Sequence, residues 1–457
     1  MSISLAKTSE LVGSGRLDPE YYQPHYQALH AKLKSIGAVT IDSFADANDG
    51  FHESPVWVEG GGIPCISAKC VKDNYFVLTD AGQVSLSQRD KNPTKEARVG
   101  DVLITSVGTI GNSAVVHKEI LPAIMDRHVG IVRIHKNANV DPYYLAAFLN
   151  SKYGRFQTWR ESTGNVQLSL FIEKINKLLV PVGEQFNATG KLVRKSYDKF
   201  RQSKQLYADA ENLLASELGL DKLDLSESLF NIRTVSDVLK SKRMDADHYR
   251  QKYYRVLKAI EELKPKSISP LGELTDTLTN GHTPLYHDLD TGDMPFFTAE
   301  HVYDFRLDHE NARSIWKEHH ETLLKRTQLR NNDVLITIKG RVGNAAVVYD
   351  LPSETNINQD VALLRLKSGI HPWYIAGFLN SPAGKALMEQ IATGQINPFL
   401  GLGNLTQIKI PIFDEKRMNE LGEKIRKTVE KAESARQEAK RLLAEAKSEV
   451  EKMIEGI

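Results

Sequence analysis

Asp101-Val102-Leu103-Ile104-Thr105, followed by a Gly-x-x-Gly-Asn turn from Gly108 to Asn112, is written a second time as Asp333-Val334-Leu335-Ile336-Thr337, with its own turn from Gly340 to Asn344. The same doubling runs outward in both directions. Arg16-Leu17-Asp18-Pro19-Glu20-Tyr21-Tyr22 returns as Arg243-Met244-Asp245-Ala246-Asp247-His248-Tyr249, and Ile63-Pro64-Cys65-Ile66-Ser67-Ala68 as Met294-Pro295-Phe296-Phe297-Thr298-Ala299. Phe148-Leu149-Asn150-Ser151 returns unchanged as Phe378-Leu379-Asn380-Ser381. The offset stays between 227 (Arg16 to Arg243) and 232 (Asp101 to Asp333). A period this long is a domain duplication, because solenoid repeats run about 20 to 50 residues. Two copies with diverged interiors suggest one molecule reading two related but different targets.

Within each copy the β-branched runs at 102–105 and 334–337 read as strands. Ala114-Val115-Val116 and Ala346-Val347-Val348 read as their partners, and the glycine turn between them as a hairpin connection with positive φ. Ile131-Val132-Arg133-Ile134 and Leu363-Leu364-Arg365-Leu366 supply a further matched strand. Pro142 and Pro372 suit the first turn of a helix that ends near Asn150 and Asn380.

A long helix follows each body. Val180-Pro181-Val182 and Ile410-Pro411-Ile412 close the globular part, and Glu184-Gln185 and Asp414-Glu415 place acid in the first helical turn. In the first helix Phe186, Val193, Phe200, Tyr207 and Leu214 recur every seven residues, with Thr189, Ser196 and Ser203 between them. In the second, Leu421, Ile425, Thr428, Ala432, Ala435, Ala439, Leu442, Ala446 and Met453 fall on three-four steps, missing one at Glu449. One seam is large and the other small, which suits a coiled coil between them. At about 1.5 Å per residue the helices reach roughly 50 to 60 Å. Connectivity then requires an antiparallel pair with one body at each end. The expected fold is α+β: two pseudo-twofold-related mixed α/β domains separated by an antiparallel coiled coil. Its divisions are residues 1–183 (first domain), 184–218 (central helix), 219–412 (linker and second domain) and 413–457 (C-terminal helix).

Composition fits a folded multi-domain protein: 457 residues, 41% hydrophobic and 26% charged. No apolar run approaches a membrane span and no leader pattern opens the chain, so a cytoplasmic location is expected. Two cysteines argue against a disulfide framework. A net charge of +1 neither advertises nor excludes a nucleic-acid partner.

The order of body, long helix, body, long helix resembles the specificity (S) subunit of type I restriction-modification systems. The likeness rests on Pro181 to Gln185 at the start of the first helix, Gly281-His282-Thr283-Pro284 in body two, and the Asp-Val-Leu-Ile-Thr and Phe-Leu-Asn-Ser elements. It also rests on Thr163-Gly164-Asn165 with Thr393-Gly394-Gln395. Each motif alone is weak, but their order, occurring twice along essentially the whole chain, is specific. Body one departs from it: Asp49-Gly50-Phe51-His52-Glu53-Ser54-Pro55 stands where Gly-x-Thr-Pro is expected. The resemblance implies two target-recognition domains, each reading half of a split double-stranded DNA site. It further implies a helical spacer that fixes the gap and docks two adenine-methyltransferase subunits, with restriction subunits joining through them. The chain itself would hold no cofactor, S-adenosylmethionine belonging to the methyltransferase.

Candidate base and phosphate contacts are polar residues that differ between the copies. Arg127 and His128 stand against Gln359 and Asp360, Val107 against Lys339, Ile110 against Arg341, and Asn165 and Gln167 against Gln395 and Asn397. Thr283, in the Gly-x-Thr-Pro element, joins them. Arg pairs with guanine and Asn or Gln with adenine, so such swaps would change specificity. The glycine turns lack the Lys-Ser or Lys-Thr of a phosphate-binding loop.

Catalytic readings fare worse. Asp141-Pro142-Tyr143-Tyr144 and Asn397-Pro398-Phe399 resemble the acidic-Pro-Pro-aromatic motif of amino-methyltransferases, but both lack the second proline, and His371-Pro372-Trp373-Tyr374 in copy two reads as a helix start. Cys65 and Cys70 have Phe296 and His301 as counterparts, so buried free thiols are expected rather than a metal site. No catalytic residue and no metal ligand is assigned. The alternative is a scaffold or adaptor whose two bodies bind protein; apolar loops would favour it, and diverging amide and basic groups favour DNA.

Overall fold

In the computed structural model both Asp-Val-Leu-Ile-Thr runs are central strands of a four-stranded antiparallel sheet. The structure describes residues 8, 11 and 14–457 except 165–167, 228–229, 242, 286–288 and 395–396; at 80 and 240 it describes the backbone alone. In copy one, β1 (Ala45–Asp49), β2 (Val102–Thr105), β3 (Ser113–Val115) and β4 (Val129–Ile134) lie in the order β1-β4-β2-β3. In copy two, β5 (Thr275–Asn280), β6 (Val334–Thr337), β7 (Ala345–Val347) and β8 (Val361–Leu366) repeat it as β5-β8-β6-β7. Registers match as well: Leu103 faces Ala114 and Ile131, and Leu335 faces Ala346 and Leu363.

Every residue of β2 and β6 is buried. Successive side chains on a strand point to opposite faces, and here both faces are covered, which is why the strands read as unbroken apolar runs. Val102 and Ile104 pack with Tyr144, Leu145 and Phe148, whereas Leu103 packs on the other side with Ala114, Val116 and Met125. A smaller three-stranded sheet accompanies each large one, Ile63–Ile66 between Gly82–Val84 and Ile124–Met125, and Met294–Phe297 between Arg313–Ile315 and Asn356–Ile357.

The proline helices begin and end where the sequence predicts. α1 (Pro142–Asn150) opens on Asp141, whose carboxylate accepts a hydrogen bond from the Tyr143 N–H at 2.8 Å. The counterpart of α1 in copy two is Pro372–Asn380. Tyr144 and Tyr374 donate their hydroxyls to the carbonyls of Pro181 (2.5 Å) and Pro411 (2.6 Å), which fixes where the chain leaves each body for its long helix.

Those long helices are α2 (Glu184–Leu218) and, with the second proline helix taken as α3, α4 (Glu415–Glu455). The chain divides into two compact units, Met1–Arg201 with Ala435–Ile457, and Gln202–Ser434, so each unit holds one body and a part of both long helices. In the first unit Phe186 packs with Val450 and Ile454, Val193 with Leu443 and Ala446, and the Ser196 hydroxyl donates to the Ala439 carbonyl at 2.8 Å. In the second, Leu214 packs with Leu421, Ile425 and Val429, Tyr207 donates to Glu433 at 2.9 Å, and Lys424 pairs with Glu217 at 2.6 Å. Residue numbers rise on one helix as they fall on the other, so the packing is antiparallel in both units.

The predicted seam is buried at Phe186, Val193, Leu214, Leu421, Ile425, Ala432, Ala439 and Leu442, and half-buried at Phe200 and Tyr207. Thr189, Ser196 and Ser203 are buried between them. The phase of α4 needs correction. Val429 rather than Thr428, Val450 in place of the step missing at Glu449, and Ile454 rather than Met453 face inward. An α-helix turns every 3.6 residues, so a seam read with a strict seven-residue repeat slips by a position over several turns. Among the described residues no helix is long and apolar enough to cross a membrane.

Candidate functional site

In each unit three loops meet at one end of the large sheet. In copy two the Ile338 N–H donates to the Asp360 carbonyl (2.9 Å), the Leu400 N–H to the Ile338 carbonyl (2.9 Å), and Lys339 bridges to Phe399, which also pairs with Thr393. This places the hairpin end at Lys339, the turn at Gln359 and the Thr393–Phe399 pair, with Asn397 two residues before Phe399, side by side. Copy one repeats the pattern: Ser106 donates to His128 (2.9 Å), Leu170 to Ser106 (2.8 Å), and Val107 bridges to Ser169, which pairs with Thr163. The scaffold of this edge is the same twice and its exposed side chains are not.

Arg127, Lys339, Gln359 and Asn397 are exposed on that edge, and His128 is half-exposed with its Nδ1 3.1 Å from Asp126 Oδ2. Arg127 and Lys339 make no side-chain hydrogen bond or ion pair with another described residue, which sets them apart from the many paired arginines and lysines of the chain. The Thr283 hydroxyl donates to Gln359 Oε1, bringing the Gly-x-Thr-Pro element to the same place. Asn165, Gln167 and Gln395 lie outside the described residues.

Arg341 is exposed but turned to a different neighbour: its guanidinium lies 5.1 Å from the centre of the Tyr303 ring, which also carries Arg306 at 3.9 Å. Its pairing with Ile110 is overturned. Thr105 donates its hydroxyl to the Thr109 carbonyl and Thr337 donates its own to the Arg341 carbonyl, so Thr109 is the counterpart of Arg341. Ile110 corresponds to Val342, and is buried at 5% exposure in the core of its body. Both turns carry their glycines at positive φ, Gly108 and Gly111 at 80° and 85°, Gly340 and Gly343 at 75° and 91°.

The apparent departure at Asp49–Pro55 is smaller than expected. Gly50 and Gly281 both press on the following turn, where an added Cβ would sit 2.0 Å from the Asp126 carbonyl oxygen in copy one and 1.8 Å from that of Ile357 in copy two. No side chain fits at either position. Divergence begins only after this shared glycine, with His52 bonded to Asp49 where copy two has Thr283 on Gln359.

Two basic residues at this edge escape sequence reasoning. Arg326 donates to the Asn280 carbonyl at 3.4 Å, and Lys95 donates to the Asp49 carbonyl at 3.0 Å and to its carboxylate at 2.7 Å. Burial pushes the Asp49 carboxyl up, but its hydrogen bonds with Lys95 and His52 outweigh that and hold it below its ordinary value. The two cations reach the same carbonyl from stretches with no common motif, so nothing in the sequence flags them.

Cys65 and Cys70 are free and buried, and burial pushes the Cys65 thiol up to about 12, far from the thiolate a metal would need. His301 bonds Thr298 and His320 bonds Asn356, both as local structural contacts. Among the described residues no group of three His, Cys, Asp or Glu side chains is arranged to hold a metal ion.

No protein-family model matches the chain, and no curated protein does. Among solved structures, the type I restriction-modification S subunit from M. genitalium is similar to it over 91% of this chain and 94% of that one, at 14% identity and a TM-score of 0.45. The HsdS subunit from Thermoanaerobacter tengcongensis is similar over 91% and 95%, at 13% identity and a TM-score of 0.30. A chain from a structure of the type I R-M system in complex assembly is similar over 91% and 96%, at 12% identity and a TM-score of 0.33. The likeness to the S subunits spans nearly the whole of both chains.

Proposed function

We propose that this chain is the DNA sequence-specificity subunit of a type I restriction-modification complex, reading a split, asymmetric site with its two bodies. The observation that carries the reading is the edge described above. Its backbone is kept in both copies, while Arg127, Val107 and His128 of one are replaced by Gln359, Lys339 and Asp360 of the other. Binding energy and register on DNA come from phosphate contacts, and sequence is read by groups that reach base edges. A duplicated scaffold with exchanged polar tips is suited to reading two different half-sites.

In this reading the coiled coil of α2 and α4 sets the gap and docks two adenine-methyltransferase subunits, through which restriction subunits join. S-adenosylmethionine binds on the methyltransferase, and the chain itself carries out no chemistry. The adaptor reading draws on Leu168, Phe171 and Phe399, which are exposed beside the same loops.

The deciding experiment co-purifies the chain with a cognate methyltransferase and sequences the DNA it methylates. The reading expects a two-part asymmetric motif with a fixed gap, two methyltransferases per chain, and no methyl transfer by the chain alone. Methylation without sequence preference, or robust transfer by the purified single chain, contradicts it.

A further inference from the structure

The turn at 126–128 and its counterpart at 358–360 share one frame and differ at the apex. In the first, the His128 N–H donates to Asp126 Oδ1 (2.9 Å), the Val129 N–H to the Asp126 carbonyl (3.1 Å), and the Asp126 N–H to the Ile66 carbonyl (3.1 Å). In the second, the Asp360 N–H donates to Asn358 Oδ1 (3.1 Å), the Val361 N–H to the Asn358 carbonyl (3.3 Å), and the Asn358 N–H to the Phe297 carbonyl (2.9 Å). A side-chain bond closes each turn, His128 to Asp126 at 3.1 Å and Asn358 to Asp360 at 3.0 Å. The glycine that precedes each body's variable loop, Gly50 or Gly281, packs on this backbone too closely for any other residue. The frame uses positions 126, 128, 358 and 360 and the backbone around them. The side chains of Arg127 and Gln359 take no part in holding it.

Both apex side chains are exposed. Arg127 bonds no other described residue through its side chain. Gln359 has its Oε1 held by the Thr283 hydroxyl, and its backbone carbonyl accepts from Asn280 Nδ2 at 2.9 Å. An arginine fork matches O6 and N7 of guanine, and a glutamine amide matches N6 and N7 of adenine. The Thr283 hydroxyl takes one lone pair of Oε1 and so fixes the orientation of the amide, leaving the second Oε1 lone pair and the Nε2 hydrogens for a base.

We infer that this apex is an interchangeable base-reading position: Arg127 addresses guanine in one half-site, Gln359 addresses adenine in the other, and Thr283 positions the Gln359 amide. The inference rests on the reading of the chain as a DNA-specificity subunit. Because the frame does not depend on the apex, exchanging the two side chains exchanges the bases read and leaves the fold intact.

The test uses the full chain assembled with its methyltransferase, selecting bound DNA from a randomised library and sequencing it. Arg127→Gln replaces a guanine preference by an adenine preference at one position of the first half-site. Gln359→Arg does the reverse in the second. Each parental preference is roughly 5- to 150-fold, the equivalent of about 1 to 3 kcal/mol for a bidentate contact. Arg127→Ala loses preference at that position with the salt dependence unchanged; uniform weakening with a salt slope lower by about one would make Arg127 a phosphate contact and overturn the inference. Thr283→Val weakens the adenine preference and Thr283→Ser restores it; no change in Thr283→Val overturns the positioning role. A wild-type complex with no sequence preference would defeat the specificity-subunit reading itself. If wild type selects a two-part site and the apex swaps change no position, the inference alone is wrong.

Discussion

Replacing Asn380 with alanine should destabilise the second unit well beyond the cost of an ordinary surface change. β7 is the last strand of its sheet, so the outward N–H and C=O of Ala345 have no strand partner. Asn380, buried at 5% exposure at the end of the second proline helix, satisfies both: Oδ1 accepts from the Ala345 N–H at 3.0 Å and Nδ2 donates to the Ala345 carbonyl at 2.8 Å. Ala345 is itself fully buried, so water cannot replace the amide. The Ala345 carbonyl keeps the Phe305 N–H at 2.8 Å, but the Ala345 N–H loses its partner, and leaving a buried donor unpaired costs about 1 to 3 kcal/mol. For a folding unit of about 150 to 250 residues each kcal/mol lowers Tm by roughly 2 to 4 °C, so a drop of about 2 to 12 °C is expected by differential scanning calorimetry. Asn331→Ala, at an exposed position, is the control. Asn150→Ala should act likewise on the first unit, where Asn150 bonds Ser113 at both its N–H (3.1 Å) and its carbonyl (2.7 Å). A shift in Asn380→Ala no larger than in Asn331→Ala would refute the reasoning that this amide closes the sheet edge.

Further outcomes follow from the same structure. Arg341→Ala should weaken DNA binding evenly across sequences and lower the salt slope by about one unit, as for a phosphate contact; loss of preference at a single base would contradict this. Burial, with Arg160 and Lys34 nearby, holds His30 down to about 4 from its ordinary 6.5. The unfolded chain therefore binds this proton at a higher pH than the folded one, so stability is complete above pH 6.5 and falls as pH drops toward 4. Urea midpoints across that range should fall less steeply in His30→Gln, and parallel curves would reject the assignment. Adding or removing seven residues in both α2 and α4 should change the gap in the recognised site and leave its bases unchanged, since the α2 seam repeats every seven residues; altered bases at an unaltered gap would sever the helices from spacing.

Much of this architecture is legible because the chain is duplicated. A β-branched run found twice before the same glycine turn excludes coincidence, and both runs are buried central strands. The prolines at 142 and 372 mark helix starts because a missing N–H costs nothing in the first turn. Three features were missed, two of them for physical reasons. Pairing Arg341 with Ile110 was a slip of one position: the offset of 232 that sets Gly108 against Gly340 already puts Thr109 against Arg341, and the Thr105 and Thr337 hydroxyl bonds bear that register out. The α4 seam drifted because a three-four pattern does not by itself fix the phase of a helix that turns every 3.6 residues, and packing puts Val429 rather than Thr428 inside. The edge residues Lys95 and Arg326 act through carbonyls, which accept from any cation and so leave no motif.

The central claim, that each body reads its own half of the site, is tested most directly by exchanging residues 41–181 for the first body of another such chain. Val39 and Thr40 pair with Val180 and Leu179 in a short ladder at the base of body one, so the exchange is cut at a structural junction. Sequencing of methylated DNA should then show a new first half-site, the original second half-site and the original gap. A change in both half-sites would show that recognition is shared between the bodies and would contradict the account.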